Sequence, residues 1–252
     1  TGDGSRIRLQ TAMGLITQAF DEVDLSTLTG YLGIGHTRYS TTGSSNIENA
    51  QPVISQGPAG ELALAHNGNI INALGLRTEL EAWGLNFKSS SDSEVIAHLM
   101  TNAPGRTIDE RIAYTMRRLE GAYSLTMTTK DAVYGIRDPL GVRPLCIGKL
   151  NGGWVITSET CALDQIGADY VRDVHPGEAV VIDAKGLRTL HRRISERGRA
   201  PCIFEHIYMA RADSVIENRL VYNSRMAMGA QLAKEHPVEA DMVIGVKDSG
   251  TT

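Results

Sequence analysis

Short β-rich runs separated by Gly, Pro, Asn and Asp fill most of this chain and restrict it to a sheet-based fold. They fall at residues 6–10, 31–35, 61–65, 123–128, 132–137, 145–150, 154–157, 178–182 and 187–192. Punctuation of this kind ends strands and starts turns. Helical patterns interrupt at 71–83, with Asn69 as a possible cap, at 92–101 and at 108–119. Asp92 and Ser93 ahead of Glu94-Val95-Ile96 suit a helix N-terminus, where short polar caps and acidic side chains satisfy free N–H groups and the helix dipole. Many strands with a few clustered helices predict two sheets with helices packed against them, an α+β arrangement.

The pattern changes near residue 200. Ser195-Glu196-Arg197-Gly198-Arg199-Ala200-Pro201 is a polar connector. After it come the segment 202–210, an amphipathic helix at 220–234 and a strand-like run at 242–246. A helix followed by a buried strand is how an α/β domain opens. The expected organisation is therefore a first domain over 1–200 and the beginning of a second over 201–252. The chain starts on the turn-like Thr1-Gly2-Asp3-Gly4 and stops just after the 242–246 run, so an internal fragment of a longer protein is expected.

Composition excludes several classes. A net charge of −4 gives no basic footprint for nucleic acid. No apolar run approaches the roughly 18 residues of a membrane span, and no signal-peptide pattern opens the chain. The three cysteines, Cys146, Cys161 and Cys202, are odd in number and far apart. That argues against a secreted disulfide framework and fits a reducing cytoplasm. Cys146 and Cys161 read as small core residues.

Two polar strings sit at the ends of apolar runs and carry the candidate chemistry. The first is His36-Thr37-Arg38-Tyr39-Ser40-Thr41 and the second is His66-Asn67-Gly68-Asn69. Arg38 is either paired with a structural carboxylate or a bidentate grip for a substrate carboxylate, which suits the planar guanidinium. Asn67-Gly68 is either a turn, being a common turn dipeptide, or a pair of donors aimed at a developing oxyanion. One such donor can lower a barrier by roughly 3 kcal/mol. Asp92 is either a helix cap or the partner of a substrate ammonium. Arg38 and Asp92 would then hold the head of an amino acid, with Asn67 and Gly68 on its side-chain carbonyl, a glutamine-like substrate. The segment Arg137-Asp138-Pro139-Leu140-Gly141-Val142-Arg143-Pro144 reads as a structural tight turn between strands. Histidines 36, 66, 98, 175, 206 and 236 show no metal-ligand spacing, and none is assigned as a ligand.

Taken in order, these strings resemble the amidophosphoribosyltransferase family. The matching segments are 36–45, Asn49-Ala50-Gln51-Pro52, 66–69, Ser91-Asp92-Ser93-Glu94, Gly121-Ala122-Tyr123, 137–144, 158–164, Pro176-Gly177-Glu178 and 201–205. The resemblance implies a four-layer α-β-β-α N-terminal-nucleophile domain, the class II glutamine amidotransferase fold, followed by the start of an α/β phosphoribosyltransferase domain. It implies hydrolysis of glutamine by an N-terminal Cys whose α-amino group is the base. The ammonia released would then pass to 5-phosphoribosyl 1-pyrophosphate (PRPP), giving 5-phosphoribosylamine for purine synthesis. By motif match Arg38 and Asp92 fall on glutamine-binding positions, and Asn67 and Gly68 on oxyanion positions. Ser249 matches a position that helps hold Mg²⁺. Cys202 matches a ligand of the [4Fe–4S] cluster found in some members. A homo-oligomer is expected.

The chain also departs from the family. No Cys stands at its start, and Thr1, aligned with a hairpin inside the domain, is not taken as the nucleophile. Lys247 replaces a usual Pro. The isolated chain is therefore expected to lack glutaminase activity. Two other readings compete with the leading one. An amidotransferase that makes an amino sugar is opposed by Asp213-Ser214 and by the Asp248-Ser249-Gly250 ending. A catalytically silent glutamine-binding or scaffold protein is the other.

Overall fold

A computed structural model describes residues 1–21, 25–39, 46–247 and 250–252. The chain opens with a short helix α1 (Ile16–Asp21) and then strands β1 (Val53–Gly57) and β2 (Gly60–Ile70). Helices α2 (Ala73–Ala82), α3 (Asp92–Asn102) and α4 (Ile108–Arg118) follow. Next come β3 (Gly121–Thr128), β4 (Val133–Arg137), β5 (Cys146–Leu150) and β6 (Gly153–Thr157). Helix α5 (Thr160–Ile166) precedes β7 (Asp169–Asp173), β8 (Glu178–Asp183) and β9 (Gly186–Arg192). A π-helical turn (Glu205–Met209), the two-residue strands β10 (Val215–Ile216) and β11 (Arg219–Leu220), and helix α6 (Val221–Glu235) complete the order.

These elements form two compact units, Thr1–Gly141 with Val174–Arg199, and Val142–Asp173 with Ala200–Thr252. The first holds a six-stranded antiparallel sheet in the order β1-β2-β3-β4-β8-β9. Helix α3 packs against β1 and β2 and is flanked by α2 and α4. Leu62 and Leu64 of β2 join Tyr123, Leu125 and Met127 of β3, and all five meet Val95, Ile96, Leu99 and Met100 of α3 in one core. Side chains alternate along a strand, so Leu62, Leu64 and His66 face the helices while Ala63, Ala65 and Asn67 face the other way. Helix α4 begins with a capping box in which Thr107 and Glu110 satisfy each other's backbone N–H groups.

The second unit holds a three-stranded antiparallel sheet, β6-β5-β7, against which α5 packs. Cys146 is buried there with Leu163. Cys161, expected in a core, is instead half-exposed and donates its thiol to Glu159 Oε2 at 3.8 Å. The β10–β11 hairpin turns on Glu217 and Asn218, both with positive φ, as a two-residue hairpin loop requires. Arg225 of α6 donates to the carbonyls of His206 and Ala210 and ties the π-helical turn to the helix.

Three expectations are corrected. The strands expected at 6–10 and 31–35 are reduced to isolated bridges of Gly2 with Ile7 and Leu32, because few backbone groups there find a ladder partner. The strand expected at 242–246 does not form, and Met242, Val243, Ile244 and Val246 stand exposed. Apolar β-branched residues favour a strand, but a strand needs a neighbour to take its hydrogen bonds. Finally, β2 does not stop at Ala65 but runs through the polar string to Ile70. No described helix is long and apolar enough to cross a membrane.

Candidate active site

The two central strands build the site. Asn67 and Gly68 are not a turn: they pair with Ser124 and Tyr123 of β3 inside the ladder. Gly68 takes φ +155, and a Cβ there would stand 2.1 Å from the Ala122 carbonyl oxygen and 2.7 Å from His66 Nε2. Only glycine fits that space and that backbone.

His66 and Asp92 join the sheet to α3. His66 Nε2 lies 3.3 Å from the Ala122 carbonyl, while Nδ1 lies 3.5 Å from Asp92 Oδ1 and 3.4 Å from Ser93 Oγ. The other Asp92 oxygen accepts the Ile70 N–H at 3.0 Å. The cap of α3 is Ser91, whose side chain accepts from the Ser93 N–H, so Asp92 stands one residue inside the helix and its carboxylate turns to β2. Burial pushes the Asp92 carboxyl up, but His66 and the N–H groups of Ile70 and Ser93 outweigh it and hold the group below the ordinary carboxylate range.

The loop before α3 is bound from several sides. Buried Asn49 accepts the Ser90 N–H at 3.1 Å. Glu94 accepts the backbone N–H groups of Lys88 and Ser89 and the Ser89 hydroxyl, at 2.9, 2.7 and 2.6 Å. Arg77 donates to the carbonyls of Ser89 and Ser91 while lying over the Phe87 ring. A loop so fixed holds Asp92 in one place.

Arg38 lies on an extended segment whose exposure alternates residue by residue from Tyr31 to Tyr39. It lines a cavity of about 650 Å³ together with His36, Thr37, Gln51, Pro52 and Ala63, within the size range of small-molecule sites. Burial, reinforced by the charges of His66 and Arg38, presses the pKa of His36 down to about 4. Gln51 connects this wall to β2: its side chain accepts the His66 N–H at 2.7 Å and donates to the His66 carbonyl at 3.4 Å. Among the described residues the cavity wall includes Arg38 but not Asn67, Gly68 or Asp92.

Sequence reasoning passed over His66, Gln51 and Asn49 as site residues. His66 was weighed only as a metal ligand, although it continues the helix-facing alternation of Leu62 and Leu64. Asn49 and Gln51 fall in a segment that carries the family resemblance, but no local pattern marks either as a site residue. The Arg137-Asp138 turn is structural, as expected. Buried Arg137 donates to the carbonyls of Val174 and Gly141 at 2.8 and 3.0 Å, and Asp138 Oδ1 accepts the Leu140 N–H at 2.9 Å.

In the second unit the Cys202 N–H donates to the Val142 carbonyl at 3.0 Å. Among the described residues no group of three or more His, Cys, Asp or Glu side chains could hold a metal ion. A four-thiolate cluster therefore does not fit the described residues around Cys202. Ser249, and residues 40–45, which include Ser40 and Thr41 of the first polar string, lie outside the described residues.

The sequence profile of the glutamine amidotransferase domain family matches residues 36–165. A protein of Archaeoglobus fulgidus named amidophosphoribosyltransferase is 48% identical over 98% of this chain and 54% of its own length. One of Synechococcus elongatus with the same name is 46% identical over 98% of this chain and 51% of its own. Among solved structures, the glutamine PRPP amidotransferase from B. subtilis, complexed with ADP and GMP, superposes with a TM-score of 0.90 at 40% identity. It covers 99% of this chain and 54% of that one. The chain thus spans about half the length of the curated relatives it matches. The α+β class II glutamine amidotransferase fold expected from the sequence is the fold found. The chain belongs to the glutamine amidotransferase domain family, and nearly all of its length is similar to proteins named amidophosphoribosyltransferase.

Proposed function

We propose that the protein is a glycosyltransferase with glutamine amidotransferase activity. It hydrolyses glutamine to glutamate and ammonia, and the ammonia displaces pyrophosphate from PRPP to give 5-phosphoribosylamine in the first committed step of purine synthesis. The observation that carries this reading is the 48% identity to an amidophosphoribosyltransferase over 98% of the chain. Residues 1–200 are read as the glutaminase domain and 201–252 as the opening of the phosphoribosyltransferase domain. The compact units divide the chain otherwise, with Val142–Asp173 in the second.

In this reading Arg38 grips the substrate carboxylate from the cavity wall, and the fork of its guanidinium fixes the amino acid's orientation. Asp92, kept ionised by His66 and the neighbouring N–H groups, takes the ammonium. The Asn67 side-chain amide and the Gly68 N–H receive the negative charge that develops on the side-chain carbonyl when a nucleophile adds. Collapse of that intermediate expels ammonia. The nucleophile is not assigned to a residue of this chain. Magnesium would serve the PRPP half of the reaction, with Ser249 among its ligands. The iron–sulfur cluster that the Cys202 match implies forms no part of this proposal, because the described residues around Cys202 do not fit one. A homo-oligomer and a cytoplasmic location complete the proposal.

The test is steady-state kinetics on the protein as encoded. Glutamine consumption should depend on PRPP and yield glutamate and phosphoribosylamine in equal amounts. Arg38→Ala should raise KM for glutamine far more than KM for free ammonia. Equal effects on both would remove Arg38 from substrate binding, and amination of a sugar phosphate in place of PRPP would overturn the reading.

A further inference from the structure

We infer that His66 is a positioning residue for the substrate ammonium: it fixes the Asp92 carboxylate by bridging the sheet and the start of α3. The inference rests on the reading that Asp92 receives the ammonium. It goes beyond that reading because no binding role has been given to His66, which faces the helices rather than the cavity.

The geometry assigns each ring nitrogen a task. Nε2 faces the Ala122 carbonyl at 3.3 Å. A carbonyl only accepts, so Nε2 carries a hydrogen. Nδ1 faces Asp92 Oδ1 at 3.5 Å and Ser93 Oγ at 3.4 Å, and it is the imidazolium form, with a hydrogen on both nitrogens, that donates from Nδ1 to the carboxylate. The ring is buried, and its backbone is held on both sides by the Gln51 amide. Gly68 completes the arrangement. Its missing Cβ would lie 2.7 Å from Nε2, so the glycine leaves the space through which the imidazole reaches Ala122. Asp92 is thereby pinned at two points, by Nδ1 and by the Ile70 N–H. One carboxylate oxygen is aimed by the sheet backbone and the other by His66. Loss of the second point frees the carboxylate to rotate about χ2, and a binding group that must be ordered at the moment of binding binds more weakly.

Two conservative substitutions separate the two nitrogens. An Asn side-chain amide stands near the place of Nδ1, and a Gln amide near that of Nε2. His66→Gln should therefore keep the Ala122 contact and lose Asp92. It should raise KM for glutamine on the order of tenfold while ammonia-dependent turnover stays within about twofold. His66→Asn should recover most of the loss in KM. A purely structural role would lower glutamine- and ammonia-dependent rates together, with Asn no better than Gln, and that result overturns the proposal. Asp92→Asn separates the proposal from its premise. If Asp92→Asn leaves KM for glutamine unchanged, the ammonium reading itself fails. If Asp92→Asn raises it and His66→Gln does not, His66 is not the positioning residue. A measurement on the unsubstituted protein covers the case of poor folding. In ¹⁵N spectra of the imidazole, added L-glutamine should move the Nδ1 signal of His66 and leave Nε2 in place. No movement of Nδ1 at saturating glutamine overturns the proposal.

Discussion

A Cβ atom on Gly68 would stand 2.1 Å from the carbonyl oxygen of Ala122. The contact lies across the β2–β3 ladder, one residue from the Gly68–Tyr123 pair, where neither backbone can withdraw without parting the sheet. Gly68→Ala should therefore cost about 3 kcal/mol or more, combining overpacking with a backbone angle that L side chains rarely adopt. Gly75→Ala is the control. Gly75 lies in α2 with no atom within 4 Å of an added Cβ, and that substitution should stabilise by roughly 0.5–1 kcal/mol. Urea unfolding midpoints of the two variants check both signs. A Gly68→Ala protein as stable as its parent would refute the close approach.

Glu94 should make the chain acid-sensitive over a defined range. Burial pushes its carboxyl up, but His98, the Lys88 N–H and two groups of Ser89 outweigh that and hold it at about 2, below the ordinary 4.5. A folded-state value below the unfolded one stabilises at pH above the unfolded value, and the gain fades as pH falls from 4.5 towards 2. The contribution at neutral pH is on the order of 3 kcal/mol. Glu94→Gln should lose it and show a flatter stability profile across that acid range. An unchanged slope in denaturant titrations at successive pH values would count against the network.

Arg137 should tolerate no smaller cation. Its guanidinium reaches two carbonyls, Val174 at 2.8 Å and Gly141 at 3.0 Å, from a site with only 2% exposure. A Lys ammonium is a point donor without the planar fork. Arg137→Lys should cost roughly 2–3 kcal/mol, since a buried carbonyl loses its donor. Thermal unfolding of the variant gives the value directly, and a loss below about 0.5 kcal/mol would contradict the assignment.

Helix positions were legible in the sequence because their signals are local. The expected 92–101 and 108–119 compare with the observed Asp92–Asn102 and Ile108–Arg118. The polar string at 66–69 was not legible as strand. Asn-Gly favours a turn locally, but β3 pairs with β2 continuously from Ala63 to Ile70, and the ladder outweighs the local preference. With the strand misread as ending, its alternation was lost too, and with it the fact that His66 and Asn67 face opposite sides of the sheet. The run at 242–246 fails in the opposite sense, since a strong local signal gains nothing without a neighbouring strand. Arg38, Asn67 and Gly68 stand out in the sequence because polar strings end apolar runs, and Asp92 because it opens a helical pattern. Gln51 and Asn49 act through side-chain bonds to residues distant in sequence, His66 and Ser90, which no spacing encodes.

His36 supplies a direct report on what enters the cavity. Burial, with the charges of His66 and Arg38 acting in the same direction, lowers its pKa to about 4. In the empty protein the ring is neutral at physiological pH, and stability should fall as pH drops from the unfolded value of 6.5 towards 4. His36→Gln should flatten that interval alone, leaving the Glu94 interval below it. A ligand carboxylate seated on Arg38 would offset one of the two charges, and the pKa of His36 would then rise. Binding of L-glutamine near pH 5 should therefore take up protons. The uptake should disappear in His36→Gln, whereas binding itself should persist. Calorimetry in buffers of different ionisation enthalpy measures that uptake. Binding without proton uptake at this pH, or with proton release, would place the carboxylate away from Arg38.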